Sequence, residues 1–150
     1  MSESLYRDLL LDHMRHPRFS GKVEPADLRA SAYNPLCGDE LELTLALDGD
    51  CIREARTQVR GCSVCVASAS MMGELIQGVS LSQAETYGTL FREAMSSGEL
   101  PSETIEPLRP LLEIRKHKSR VKCALLVWNA LEGCLREPQP SNDPTDTLNW

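Results

Sequence analysis

Residues 40–48, ELELTLALD, alternate apolar and polar, so Leu41, Leu43, Leu45 and Leu47 share one face of a half-buried strand. Asp48-Gly49-Asp50 supplies turn chemistry. Residues 51–60 form a weaker partner strand, with Ala55, Thr57 and Val59 on one face and Glu54, Arg56, Gln58 and Arg60 on the other. A two-residue Gly49-Asp50 turn would set Leu41 opposite Gln58 and Leu43 opposite Arg56. A three-residue loop, 48–50, sets Leu47 opposite Cys51, Leu43 opposite Ala55 and Leu41 opposite Thr57. The second register keeps one face apolar and is the one expected. A short strand near Ala30–Tyr33 brings the sheet to about three strands.

The rest of the pattern is helical. Residues 3–15 place Leu5 and Leu9 on one stripe with Asp12 and His16, and Tyr6, Leu10 and His13 on the next, with Pro17 as the stop. Residues 63–77 form a helix with Met71, Met72, Leu75 and Ile76 as core candidates. Two more helices are expected over 81–96, capped by Ser80 or Ser82, and over 103–114, capped by Ser102. A last helix spans about 120–136 with Ser119 as cap. Its stripes, Val121, Ala124, Leu125, Trp128, Leu131 and Leu135, and Cys123, Leu126, Val127, Ala130 and Cys134, make it apolar on two sides, so it is sandwiched in the body. Strands first and helices after argue an α+β fold: a small antiparallel sheet packed against several helices.

Composition narrows the class. A length of 150 residues with 41% apolar and 25% charged positions fits one soluble domain, placed at 1–136. The remainder, 137–150, carries three prolines and reads as a flexible acidic tail, whose Glu137, Asp143 and Asp146 supply half of the net charge of −6. No apolar run approaches the roughly 18 residues a membrane helix needs, and an acidic chain repels nucleic-acid phosphate. The opening MSESLYRDLL has no export-signal pattern, which places the six cysteines in a reducing cytoplasm. Thiols there serve as metal ligands, nucleophiles or small hydrophobes rather than staples.

The expected hairpin register sets Cys37 opposite Gly61 and makes Cys62 and Asp39 neighbours, with Cα spacings of about 5–7 Å. Cys37-Gly38-Asp39 then offers a thiolate and a carboxylate on one loop beside a second thiolate. Cys51 lies at the hairpin's other tip, about 36 Å from Cys62 if extended, and reads as a small hydrophobe. Cys134 lies about 16 Å along the last helix from Cys123, so the two cannot share an ion. Cys123 is the better ligand: it starts that helix and follows Arg115, Lys116, Lys118, Arg120 and Lys122, so basic charge and helix dipole favour its thiolate. Cys62-Ser63-Val64-Cys65 also forms a CxxC, but no second CxxC exists and the strand before it pairs in a hairpin rather than a βαβ unit. Cys65 reads as a buried bystander. Spacing alone leaves two alternatives for Cys37, Asp39, Cys62 and Cys123: one metal site, or four unrelated residues.

NPLCGD (34–39), GCSVCVASASMM (61–72) and RVKCALLVWNAL (120–131) resemble, in this order, the IscU/NifU-like iron–sulfur assembly proteins, and within them the SufU type. The likeness runs over about residues 4–136. It implies an α+β fold and a metal held by three cysteines and an aspartate, which map onto Cys37, Cys62, Cys123 and Asp39. The scaffold subtype has His before the last cysteine, where this chain has Lys122. That subtype also has an LPPVK segment, where this chain has LEIRKHKS (112–119). The stretch 80–102 resembles the SufU-type insertion. Cys65 and Cys134 are departures from the family pattern.

The SufU likeness implies resident Zn2+ and transfer of persulfide sulfur from a pyridoxal-phosphate-dependent, SufS-like cysteine desulfurase toward downstream Suf-type scaffold proteins. Cys37, on a loop flanked by Pro35 and Gly38, is the expected acceptor because a loop can swing out. Asp39, Cys62 and Cys123 then keep the zinc while a partner side chain, by family analogy a histidine, takes the vacated place. Arg120 is a candidate to steady the thiolate or incoming persulfide, and Lys122 to support it electrostatically. The basic run 115–122 is a candidate docking face for the desulfurase. His13, His16 and His117 have no site to join. The alternative function is a scaffold assembling a transient iron–sulfur cluster on the same ligands. A structural zinc domain and a Cys62–Cys65 dithiol oxidoreductase are further rivals.

Overall fold

The computed structural model describes residues 3–136 and 147–149. Helix α1 (Glu3–Arg15) leads into strands β1 (Leu28–Asn34), β2 (Asp39–Asp48) and β3 (Cys51–Arg60). Helices α2 (Ser63–Ile76) and α3 (Leu81–Ser97) follow, then a 3-10 segment (Glu103–Lys116), helix α4 (Lys118–Arg136) and a short strand β4 (Thr147–Asn149). The sheet order is β3-β2-β1-β4, with β1–β2 and β2–β3 antiparallel and β4 parallel to β1. The α+β fold with three antiparallel strands is present, and β4 extends its β1 edge. The rest of the expected tail, 137–146 and 150, lies outside the described residues.

The hairpin corrects the expected register. The turn is the two-residue one, with Asp48 opposite Cys51 and Leu47 opposite Ile52. A bulge between Ala46 and Leu47 leaves Arg53 without a partner, and beyond it Leu45 pairs with Ala55, Leu43 with Thr57 and Leu41 with Val59. The extra residue lets a tight turn and an apolar face coexist, which an unbulged hairpin could not do here. Leu41, Leu43, Leu45 and Ala55 are accordingly buried, together with Ala30 and Ala32 of β1.

Helices α2 and α4 pack against one another, α4 also against β1 and α2 against β3. The small residues of α2 permit close approach: Ala67, Ser68, Ala69 and Ser70 are all buried, and the Ser68 hydroxyl donates to the Ala124 carbonyl at 2.6 Å. Met71, Met72 and Ile76 join the core, whereas Leu75 is only partly buried. On α4, Cys123, Leu126, Val127, Ala130 and Cys134 are buried, as are Ala124, Trp128 and Leu131 of the other stripe. Phe91 of α3 stacks on Trp128 with ring centroids 5.2 Å apart. His13 is buried, hydrogen-bonded through Nδ1 to the Ser70 hydroxyl at 2.7 Å and paired through Nε2 with Glu74, so it ties α1 to α2.

Two helix expectations change. The segment 103–116 is 3-10 rather than α-helical, since Pro107 and Pro110 lack the N–H groups an α-helix uses; Ser102 caps it as expected. Helix α4 starts at Lys118, so Ser119 lies inside it rather than capping it, and Cys123 sits more than one turn in. Ser80, not Ser82, caps α3 by accepting from Gln83 N at 3.1 Å.

Candidate metal centre

The loop joining β1 to β2 is built by Asn34. Its carbonyl accepts from Gly38 N at 2.8 Å and Cys37 N at 3.3 Å, and its side-chain oxygen accepts from Leu36 N at 3.1 Å. Gly38 takes φ +72°, a conformation that favours glycine, and so closes the loop onto Asp39. Cys37 is thereby left exposed at the tip, and Leu36 beside it is 77% exposed. Asn34 itself is buried, and its amide points at Cys123 Sγ from 4.0 Å.

Asp39, not Cys37, faces Gly61. The expected register erred by two residues, one from the shorter turn and one from the bulge. A Cβ on Gly61 would come within 2.6 Å of Asp39 Oδ1. With glycine there, that oxygen accepts from Cys62 N at 2.9 Å, and the Cys62 thiol lies 3.8 Å from Oδ2. Asp39 and Cys62 are thus neighbours, as the sequence suggested. Asp39 is 1% exposed and takes part in no ion pair among the described residues. A carboxylate so placed gains most from a cation between it and its thiol neighbours.

Helix α4 supplies the remaining thiol. Cys123 is fully buried, and its Sγ lies 3.6 Å from Cys37 Sγ. Ligand atoms of Cys37, Asp39 and Cys123 all lie within 4.8 Å of one another; Cys62 falls outside that mutual spacing and touches the group through Asp39. A tetrahedral ion with sulfur at about 2.3 Å and oxygen at about 2.0 Å spaces its ligands about 3.5–3.8 Å apart. The Cys37–Cys123 and Cys62–Asp39 separations of 3.6 and 3.8 Å are each of that size, and a small inward turn of Cys62 is what a four-ligand ion would require. Three thiols and one carboxylate suit zinc or iron.

Burial, with hydrogen bonds to Asp39, Cys62 and Cys37, pushes the Cys123 thiol well above its ordinary range. The Cys62 charge, followed by hydrogen bonding to Cys62 and Cys123, raises Arg120 above its ordinary value. Arg120 is exposed and lies within electrostatic range of both thiols. Lys122 is exposed and makes no ion pair among the described residues. Arg115 donates to the carbonyls of Met95 and Ser96, and Lys116 pairs with Glu113, which leaves Lys118, Arg120 and Lys122 as the exposed remainder of the basic run.

The other cysteines stand apart in different ways. Cys51 is at the far tip, donating to the Gly78 carbonyl at 3.2 Å. Burial pushes Cys134 up to about 12. Cys65 is fully buried beneath the site, where desolvation and the charges of Asp39, Cys62 and Cys37 raise it. His16 pairs with Asp12, and His117 is exposed; neither reaches the site. Sequence reasoning gave no role to Asn34 or Gly61. An asparagine before Pro35 and a glycine directly before Cys62 were the available signals.

A three-stranded antiparallel sheet backed by helices, with the thiols of Cys37 and Cys123 beside buried Asp39 and Cys62 against that carboxylate, defines a small α+β protein with a cysteine–aspartate group that could hold a metal. The family described as "NifU-like N terminal domain" matches residues 5–107. The chain is 34% identical over 141 residues to the "Zinc-dependent sulfurtransferase SufU" of Bacillus subtilis (strain 168), covering 93% of this chain and 95% of that protein. It is 29% identical over 143 residues to the "Iron-sulfur cluster assembly scaffold protein IscU" of Streptococcus pyogenes serotype M1, covering 95% and 89%. A solved structure from Fervidobacterium islandicum AW-1, described as an iron–sulfur cluster assembly scaffold protein for the SUF system, superposes with a TM-score of 0.80 at 31% identity. It covers 91% of this chain and 100% of that one. The chain belongs to the IscU/NifU-like family of iron–sulfur cluster assembly proteins, with its likeness running to the SufU type.

Proposed function

We propose that this protein is a zinc-dependent sulfur-transfer protein of iron–sulfur cluster assembly, with Cys37 accepting persulfide sulfur from a pyridoxal-phosphate-dependent cysteine desulfurase. Cys37, Asp39, Cys62 and Cys123 would hold the zinc. When bound, zinc would keep the thiols deprotonated and shielded from oxidation. One asymmetry carries the reading: Cys37 is exposed on a glycine-hinged loop, while Asp39 and Cys123 are buried and Cys62 is half-buried.

Cys37 can leave the cluster by loop motion, whereas the backbones of Asp39 and Cys123 are fixed in β2 and α4 and that of Cys62 at the start of α2. Freed, its thiolate attacks the outer sulfur of the partner's cysteine persulfide. A new S–S bond forms on Cys37, the partner's S–S bond breaks, and the partner's sulfur departs as a thiolate. Arg120, beside Cys62 and Cys123, offers a guanidinium for the negative charge that moves through this exchange. Lys118, Arg120 and Lys122 present positive charge to an acidic desulfurase face. No helix among the described residues is long and apolar enough to cross a membrane. The sulfur would pass onward to Suf-type scaffold proteins in the cytoplasm.

The relative named as an IscU scaffold supports a second reading, in which the same ligands assemble a transient cluster. A desulfurase assay tests the first. Cys37→Ala is expected to remove all stimulation of the desulfurase while circular dichroism stays native. Full stimulation by Cys37→Ala would overturn the assignment.

A further inference from the structure

Cys65 has no part in the sulfur-transfer reading, yet it lies in the field of three of the proposed ligands, Asp39, Cys62 and Cys37. Cys62 is the N-cap of α2 and Cys65 falls three residues on, in the first turn. Residues so spaced have Cα atoms about 5 Å apart, inside the roughly 4.4–6.8 Å that a disulfide spans. The Cys62 side chain makes no capping hydrogen bond, so turning it toward Cys65 breaks no cap. The two thiols also differ in access, since Cys62 is partly exposed and Cys65 fully buried.

We propose that Cys62 and Cys65 form a reversible redox latch on the metal centre, in which a peroxide closes a Cys62–Cys65 disulfide and releases the metal. This rests on the zinc-holding role given to Cys62. The Cys62 thiolate attacks the peroxide, breaking its O–O bond; Cys62 becomes a sulfenic acid and one oxygen leaves as hydroxide, protonated to water. The Cys65 thiol then attacks the Cys62 sulfur, an S–S bond forms, the S–O bond breaks, and the Cys65 proton leaves with the second oxygen as water. In sum, two thiols and one peroxide give one disulfide and two waters. The centre then has two thiolates and a carboxylate in place of three thiolates and a carboxylate, and with no partner side chain in the vacated place its hold weakens enough for a chelator to take the metal. A dithiol reductant reverses the change, and closure spares Cys62 from irreversible over-oxidation.

The test treats purified metal-loaded protein and its Cys65→Ser variant with hydrogen peroxide, then with dithiothreitol. Metal is followed with a chromophoric chelator, and disulfides and oxygen adducts by peptide mass mapping. The wild type is expected to lose its metal with a mapped Cys62–Cys65 bond and to regain full stoichiometry after reduction. Cys65→Ser should load metal and stimulate a desulfurase normally before treatment. After peroxide it should collect sulfinic acid on Cys62 and regain less than about a tenth of its metal. A disulfide mapped instead between Cys37 and Cys123, or full recovery by Cys65→Ser, would overturn the latch. Metal analysis of the purified protein and its zinc titration test the underlying reading separately: a Cys62–Cys65 bond mapped in a protein that neither carries nor takes up metal would sink the zinc reading and leave the thiol pair standing.

Discussion

Asp39 draws the site together at the level of single residues. One of its oxygens holds the Cys62 backbone and the other lies beside the Cys62 thiol, which places the start of α2 against the Cys37 loop. That contact exists because position 61 has no side chain. A Gly61→Ala change puts a methyl group 2.6 Å from Asp39 Oδ1 and must displace the carboxylate. It is expected to weaken metal binding about 10–100-fold, as loss of a ligand-orienting contact does, while the sheet and core remain. Chelator competition with native circular dichroism checks both halves. The sequence made Cys37, Asp39, Cys62 and Cys123 readable as a group through motif resemblance, and hairpin logic alone made Asp39 and Cys62 neighbours. It did not disclose that Asn34 shapes the Cys37 loop, because an asparagine's turn role shows only once its hydrogen-bond partners are in place.

At the level of elements, periodicity reported faces better than registers. Leu41, Leu43 and Leu45 are buried as their alternation required, yet their partners are shifted by two from the expected ones. One residue of that shift comes from the two-residue turn and the other from the bulge at Arg53, which allows Ile52 and Ala55 both to face the core from either side of it. A bulge leaves no mark in alternation beyond one out-of-phase residue. Deleting Arg53 should therefore be tolerated, changing stability by less than about 1 kcal/mol, because the pairs on both sides and their faces survive. Deleting Arg56 should cost about 3 kcal/mol or more, since it drives Thr57 and Val59 to the wrong face. Urea unfolding of the two deletions separates these outcomes. The 103–116 segment teaches a related lesson: its apolar spacing suggested an α-helix, but Pro107 and Pro110 decided its winding.

For the whole molecule, the centre joins parts far apart in sequence. The β1–β2 loop, the start of α2 and the second turn of α4 meet there, so a bound ion would act as a tertiary cross-link. Anything that binds only the folded state stabilises it by mass action, about 2.7 kcal/mol at a hundredfold excess over Kd. Chelation is expected to lower the melting temperature by roughly 10 °C for a domain of this size, and zinc should restore it. Calorimetry with and without chelator checks this. The α+β class and the helix-backed sheet were legible from the order of strands and helices. The approach of Cys123 to Cys37 and Asp39 was legible only through motif resemblance, because it depends on α4 lying along β1 and α2, a packing choice that no local pattern encodes.

X-ray absorption at the zinc edge of the purified protein asks most directly whether these four side chains share one ion. The account predicts one zinc per chain with three sulfurs near about 2.3 Å and one oxygen near about 2.0 Å. A shell of oxygen and nitrogen alone, or a chain that retains no metal, would contradict it.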